Sequence, residues 1–224
     1  MGQLTSDTLE LKNSLRNAIT EFEREKNAFT QLSRQLEAKA SEVENLRIEL
    51  EKKDKELLSL QEMIDKNKLE TQKLYDLISK ALVSFDNTEL TVYEKNGKVY
   101  VALEEKLLFK TGSANIDKKG EQVIIQLAKI LENNPDISIL IEGHTDNVGS
   151  SELNWNLSTQ RALAVVKIIE TNSKVDMSRI TVAGRGMYTP VADNKSEEGK
   201  RKNRRIEIIL TPNLEQLYKI FEKN

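Results

Sequence analysis

Apolar residues recur on a seven-residue grid along the first third of the chain. Leu15, Phe22, Phe29, Leu36, Val43, Leu50, Leu57, Ile64 and Ile78 share it, with Thr71 as a polar member. Three residues after these come Ala18, Leu32, Leu46, Leu60, Leu74 and Ala81, alternating with Glu25, Lys39, Lys53 and Asn67. Alternating 3-4 spacing held over many heptads is the seam of a left-handed coiled coil. No glycine falls between Gly2 and Gly97, and the first proline is Pro135, so nothing interrupts the helix. A rod from about residue 8 to 84 would be roughly 110 Å long at 1.5 Å per residue. A solitary helix held by charge pairs, as in LEKKDKELLSL, has no reason to keep one stripe apolar. The stripe therefore predicts a partner chain, most simply a second copy. Polar residues at every second d position fix register at a cost in stability. A parallel homodimer is expected, with a trimer as the alternative.

After Ala81 the pattern changes. LTVYEKNGKVYVAL holds two alternating β-branched and aromatic runs around Asn96-Gly97, a hairpin signal. LLFKTGSANID reads as irregular, with Gly112, Ser113 and Asn115 marking a loop. Asp117 is placed to cap a helix whose apolar positions are Val123, Ile124, Leu127, Ile130 and Leu131, stopped by Asn134-Pro135. ISILIEG reads as a strand, and Asn154 to Glu170 as an amphipathic helix with Leu157, Leu163, Val166 and Ile169 inward. Asp176 is placed to cap a short turn before the strand RITVAG. A polar loop, RGMYTPVADNKSEEGKRKN, leads to the strand RRIEIIL, and Leu214, Leu217, Tyr218 and Phe221 share a face of a tail helix. The expected fold is a long α-helical coiled coil over residues 1–87, followed by an α/β domain over 88–224 that packs helices on one sheet as an α+β sandwich.

Composition narrows the function classes. A formal net charge of -2 supplies no basic field to recruit nucleic acid. The basic run GKRKNRR has no companion basic surface and reads as a solvated strand start. Cysteine is absent, which excludes disulfides, thiol catalysis and cysteine-based zinc sites. The N-terminal MGQLTSDTLE lacks the charged start and apolar run of a signal peptide, and no stretch reaches bilayer-spanning length.

The candidate chemistry lies in GHTDNVGSSELNWNLSTQRA, residues 143–162, which holds the one histidine and the one tryptophan. His144 and Asp146 suggest a base with its orienter, or two metal ligands, yet no second histidine or cysteine completes a shell. Gly-x-Ser-x-Gly does not occur, so the serines lack a nucleophile elbow. No catalytic residue, metal site or cofactor is expected, and His144 reads as a hydrogen-bonding residue that shapes the loop. A binding site fits better. The loop follows a strand end, where ligands of α/β sheets sit. Asp146 supplies an anion and Arg161 a planar cation, a pair suited to an amino-acid head with ammonium and carboxylate. An internal salt bridge between the two is the alternative.

The ordered anchors resemble a known family. Phe109, Gly112-Ser113-Ala114, GHTD (143–146), Gly149, Asn154, LSTQRA (157–162), Ala183-Gly184, Pro190-Val191, Asp193-Asn194, Gly199 and NRR (203–205) are similar to the OmpA-like C-terminal domain of OmpA proteins, peptidoglycan-associated lipoprotein and MotB. Where many members carry an aromatic between two glycines, this chain reads Arg185-Gly186-Met187. The resemblance implies noncovalent binding of peptidoglycan through the diaminopimelate of its stem peptide. The ligand pair falls on Asp146 and Arg161. Thr145, Asn154, Leu157 and Ser158 fall on groove positions, and Arg204 on the NRR position. It further implies a periplasmic or outer-membrane-associated protein of a Gram-negative envelope, whose export signal or membrane anchor lies upstream. Two other roles fit the same pattern: a coiled-coil assembly protein, and a MotB-like stator subunit without its membrane segment.

Overall fold

The computed structural model describes residues 2–85, 89–109 and 113–212, with backbone alone for 2–6. The proposed tail helix at 214–221 and the loop glycine Gly112 lie outside the described residues. The chain divides into two compact units, Met1–Gln61 and Glu62–Asn224. One helix, α1 (Gly2–Leu82), forms the described part of the first unit and enters the second.

In the first unit the predicted stripe is helical and uncovered in the single chain. Phe22 is 66% and Leu36 68% exposed. Lys39–Glu42, Arg47–Glu51 and Lys53–Glu56 form surface ion pairs one turn apart. Such pairs contribute little and leave the apolar stripe unexplained.

In the second unit the same stripe meets a core. Thr71, Leu74, Ile78 and Leu82 are buried, the last three with Val99, Val101, Leu103, Leu127 and Ile208. Thr71 Oγ1 donates to Gly97 O at 3.2 Å. The polar member of the heptad grid is thus a contact to the hairpin. Each fully buried Leu or Ile contributes about 1.5–3 kcal/mol, so the last turns of α1 are part of the folded core.

The sheet has the order β1-β2-β5-β3-β4. The strands are β1 (Leu90–Lys95), β2 (Lys98–Glu104), β3 (Ile137–His144), β4 (Ile180–Gly184) and β5 (Arg205–Pro212). β3 and β4 are parallel, and the remaining neighbours antiparallel. The β1–β2 hairpin turns at Asn96 and Gly97, with φ of 54° and 68°, the two positive values a two-residue type I′ turn needs.

Helices α2 (Glu105–Leu108), α3 (Lys118–Glu132), α4 (Ser151–Asn172) and α5 (Glu197–Asn203) complete the unit. On α3, Val123, Ile124, Leu127 and Leu131 are buried as expected, and Ile130 is half-buried. Asp117 stands at its N-cap without a side-chain hydrogen bond, whereas Asp176 accepts from Ser178 N at 2.9 Å. Arg179 donates to Leu131 O, Asn134 O and Ile137 O, tying the end of α3 to β3.

The inner face of α4 differs from expectation. Leu163 is 45% exposed, Leu157 and Val166 are half-buried, and of the four predicted positions Ile169 is fully inside. The buried line runs Asn154, Ser158, Arg161, Ala162, Val165, Ile169. Its first half is polar, which a search for apolar periodicity passes over. The stretch predicted as a polar loop contains α5, capped by Ser196 Oγ accepting from Gly199 N at 3.0 Å.

Candidate functional site

Two glycines let α4 sit close to the strand ends. Gly143 and Gly184 face each other across the parallel β3–β4 pair. A Cβ on Gly143 would lie 2.0 Å from Ser158 O, and one on Gly184 2.1 Å from Thr159 Oγ1. Ser158, fully buried, donates from Oγ to Trp155 O and accepts from Gly186 N. It braces α4 against the loop after β4.

Strand alternation places His144 on the sheet face opposite Gly143. There Glu142 stands directly across from Glu207, and His144 across from Arg205. Like charges face to face are unfavourable. Arg185 offsets one by binding Glu142 Oε1 at 2.6 and 2.9 Å, and Arg205 the other by binding Glu207 Oε1 at 2.7 Å. His144 Nδ1 bonds Thr189 Oγ1 at 2.8 Å, while Nε2 stands 3.7 and 3.8 Å from the two carboxylates, beyond hydrogen-bond length. Burial first, then Arg205 and Arg185, push its pKa down to about 3, so the ring is neutral near pH 7. Ligand atoms of Glu142, His144 and Glu207 lie within 4.8 Å of one another. Each carboxylate already carries an arginine, so a divalent cation there would add two uncompensated charges in a buried place.

On the helix side of the sheet, beyond the end of β3, a cleft of about 810 Å³ opens. Thr145, Asp146, Asn154, Leu157, Arg161 and Arg204 line it, so of the residues expected to contact a ligand Ser158 alone does not. Asp146 is held twice. Oδ1 accepts from Val148 N at 3.0 Å, and Oδ2 pairs with Arg204 Nη1 at 2.6 Å. Asn154 Nδ2 donates to Val148 O at 3.1 Å, which fixes the loop from α4. Gly149 has φ of 92°, and a Cβ there would meet no atom of the chain within 4 Å. The positive φ rather than crowding by the chain explains this glycine. Two N–H groups of the loop are used internally: Val148 N on Asp146 and Thr145 N on Gly186 O.

Arg161 and Asp146 do not pair with each other. Arg161 Nη2 pairs with Glu105 Oε1, its Nε donates to Ser113 O, and its guanidinium lies 5.1 Å over the Phe109 ring. Glu105 Oε2 in turn binds Arg204 Nε at 2.6 Å. The result is an alternating chain, Asp146–Arg204–Glu105–Arg161, with no net charge. Burial pulls the Arg204 pKa down, but the hydrogen bonds and charges of Asp146 and Glu105 outweigh it and hold it above its ordinary value. Thr145 lines the same cleft, and its Oγ1 is buried with no hydrogen-bond partner among the described residues.

Glu105 was not legible as a site residue. It is one of two adjacent glutamates before an apolar run, and nothing local distinguishes it. The basic run 199–205 also differs from expectation. It is not a solvated strand start, because Arg201 meets Glu104, Arg204 meets Glu105 and Asp146, and Arg205 meets Glu207. Asn203 holds this segment from inside, accepting from Val191 N and Ala192 N and donating to Ala192 O and Asn194 Oδ1.

Residues 108–204 match the model of the OmpA family. Among curated proteins, Motility protein B of Bacillus subtilis (strain 168) is 36% identical over 116 residues, covering 50% of this chain and 44% of that protein. Probable lipoprotein YiaD of Escherichia coli (strain K12) is 34% identical over 125 residues, covering 56% and 57%. The chain therefore spans about half the length of these relatives. Among solved structures, the cell wall anchor of the T6SS from Pseudomonas aeruginosa superposes with a TM-score of 0.53 at 27% identity, over 61% of this chain and 97% of that one. The family match spans β3, α4, β4 and α5 and most of the cleft lining, while Glu105 and Lys106 precede it. The chain carries an OmpA-like domain, preceded by a long helix.

Proposed function

We propose that the domain binds peptidoglycan noncovalently and without catalysis, through the diaminopimelate residue of its stem peptide. The observation that carries this reading is the alternating charge chain along one cleft wall. A zwitterionic amino-acid head meets a carboxylate for its ammonium at Asp146 and guanidinium groups for its carboxylate at Arg161 and Arg204. The likeness to a structure described as a cell wall anchor supports the same reading. The protein acts as a tether between the wall and an envelope component, in the periplasm or at the outer membrane of a Gram-negative bacterium. The first unit joins two copies through its heptad stripe. Two weak sites on one molecule then gain avidity on a polymeric wall.

Likeness to Motility protein B favours a second reading, a stator-type subunit that uses the same wall contact. No helix among the described residues is long and apolar enough to cross a membrane. Sequence upstream of this chain in its gene separates the two roles.

Co-sedimentation of the full chain with purified sacculi tests the wall contact. Lysine in place of diaminopimelate keeps the ammonium and loses the carboxylate, and with it the charge-assisted hydrogen bonds to the arginines, worth about 1.5–3 kcal/mol. We expect binding to diaminopimelate-type sacculi, at least about tenfold weaker binding to lysine-type sacculi, and loss of binding in Asp146→Ala and Arg161→Ala. Equal retention of both wall types, or full retention by Asp146→Ala, would overturn the assignment.

A further inference from the structure

We infer that Glu105 is a built-in competitor for the ligand carboxylate, holding the arginine cradle closed until a ligand displaces it. This rests on the peptidoglycan reading above. Both oxygens of Glu105 are engaged, Oε1 on Arg161 Nη2 and Oε2 on Arg204 Nε. The other contacts of these guanidinium groups are structural. Arg161 Nε serves Ser113 O and its face covers Phe109, while Arg204 Nη1 serves Asp146. The N–H groups that Glu105 occupies are among those a carboxylate in the cleft would take. With one oxygen on each arginine, the Glu105 carboxylate makes charge-assisted contacts of the kind a free carboxylate would make.

The backbone of Glu105 is anchored independently of its side chain. Glu105 N donates to Arg204 O at 2.9 Å, and the next turn is pinned by the buried Leu107 and Leu108. Displacement then needs rotation about side-chain bonds alone. Lys106, Lys200 and Arg201 line the same cleft, so a displaced carboxylate stays among cations. The free energy of ligand binding is the difference between two carboxylates competing for the same donors. Glu105 sets a threshold: a stem peptide ending in ammonium alone does not displace it, and one that also carries a carboxylate does.

Glu105→Gln tests this in the full chain, using diaminopimelate-type and lysine-type sacculi and free meso-diaminopimelate as probes. Glutamine keeps the shape and removes the charge. Binding of diaminopimelate-type sacculi and of free diaminopimelate is expected to tighten about tenfold, with lysine-type binding unchanged. The ligand-free melting temperature is expected to fall, because Arg161 and Arg204 lose a charged partner. Tighter binding together with lower stability is the signature, since a purely structural glutamate would lower both. Glu105→Asp, too short to span both arginines, should fall between the wild type and Glu105→Gln.

Wild-type binding with Glu105→Gln equal or weaker overturns the competitor role and leaves the peptidoglycan reading standing. Binding of neither probe by either protein overturns both. Binding of free diaminopimelate by Glu105→Gln but not by the wild type supports the competitor role in its strongest form.

Discussion

His144 is buried as a neutral ring facing Glu142, Glu207, Arg205 and Arg185, and its pKa is pushed down to about 3. In the unfolded chain it titrates near 6.5. A lowered folded pKa means that the unfolded state binds the proton first as pH falls. The stability this group contributes is therefore complete above about pH 6.5 and is lost progressively towards pH 3. We expect the wild type to lose about 2 kcal/mol between pH 7 and pH 5 from this residue, read as a fall in the urea midpoint that His144→Gln does not show. An equal fall in His144→Gln would assign the pH sensitivity to other groups. At this scale Asp146 and Arg161 were legible because each is a charged residue in a small-residue motif. Glu105 was not, because its role exists through two arginines lying 56 and 99 positions downstream in the chain.

Among the elements, close approach of α4 to the ends of β3 and β4 positions the cleft. Glycine at 143 reads in the sequence as the end of the strand ISILIEG, whereas the structure makes it a packing requirement. Gly143→Ala places a carbon 2.0 Å from the Ser158 carbonyl, a backbone atom that cannot swing aside. Overpacking of this kind costs about 1–3 kcal/mol or more. We expect a matching drop in the denaturant midpoint and weakened sacculus binding, since α4 carries Arg161 and Asn154. An unchanged midpoint would show that the helix moves freely and that its seat does not set the site. The helix α5 was missed for a physical reason. EEGKRKN has no apolar face, and its place is held by the buried Asn203 and by Gly199, where a Cβ would lie 1.8 Å from Asp193 O.

Taken along the whole chain, one apolar stripe serves two purposes. From Leu15 to Leu57 it lies open in the single chain, whereas Leu74, Ile78 and Leu82 are buried in the core of the second unit. In the dimer proposal, the stretch left for a second copy to cover lies before Thr71, while the heptad pattern itself runs on to about residue 84. We expect the full chain to sediment at twice its 25.5 kDa at tens of micromolar. Leu36→Lys should dissociate the dimer and leave the domain folded, while Leu74→Lys should unfold the domain. A monomeric wild type would remove the coiled-coil proposal, and with it the avidity argument.

Period and turn chemistry are local, so the sequence by itself determined that a long helix precedes a sheet and where the hairpin turns, and it pointed to the motif of the proposed site. An apolar heptad states that a face needs covering and does not name the cover. Only the tertiary structure decided that the last turns of that face belong to the sheet. It also decided the charge partners. Asp146, Arg161, Arg204 and Glu105 come from four separate segments, and Coulomb energy depends on their separation in space rather than along the chain. That is why an expected Asp146–Arg161 pair became an alternating chain of four.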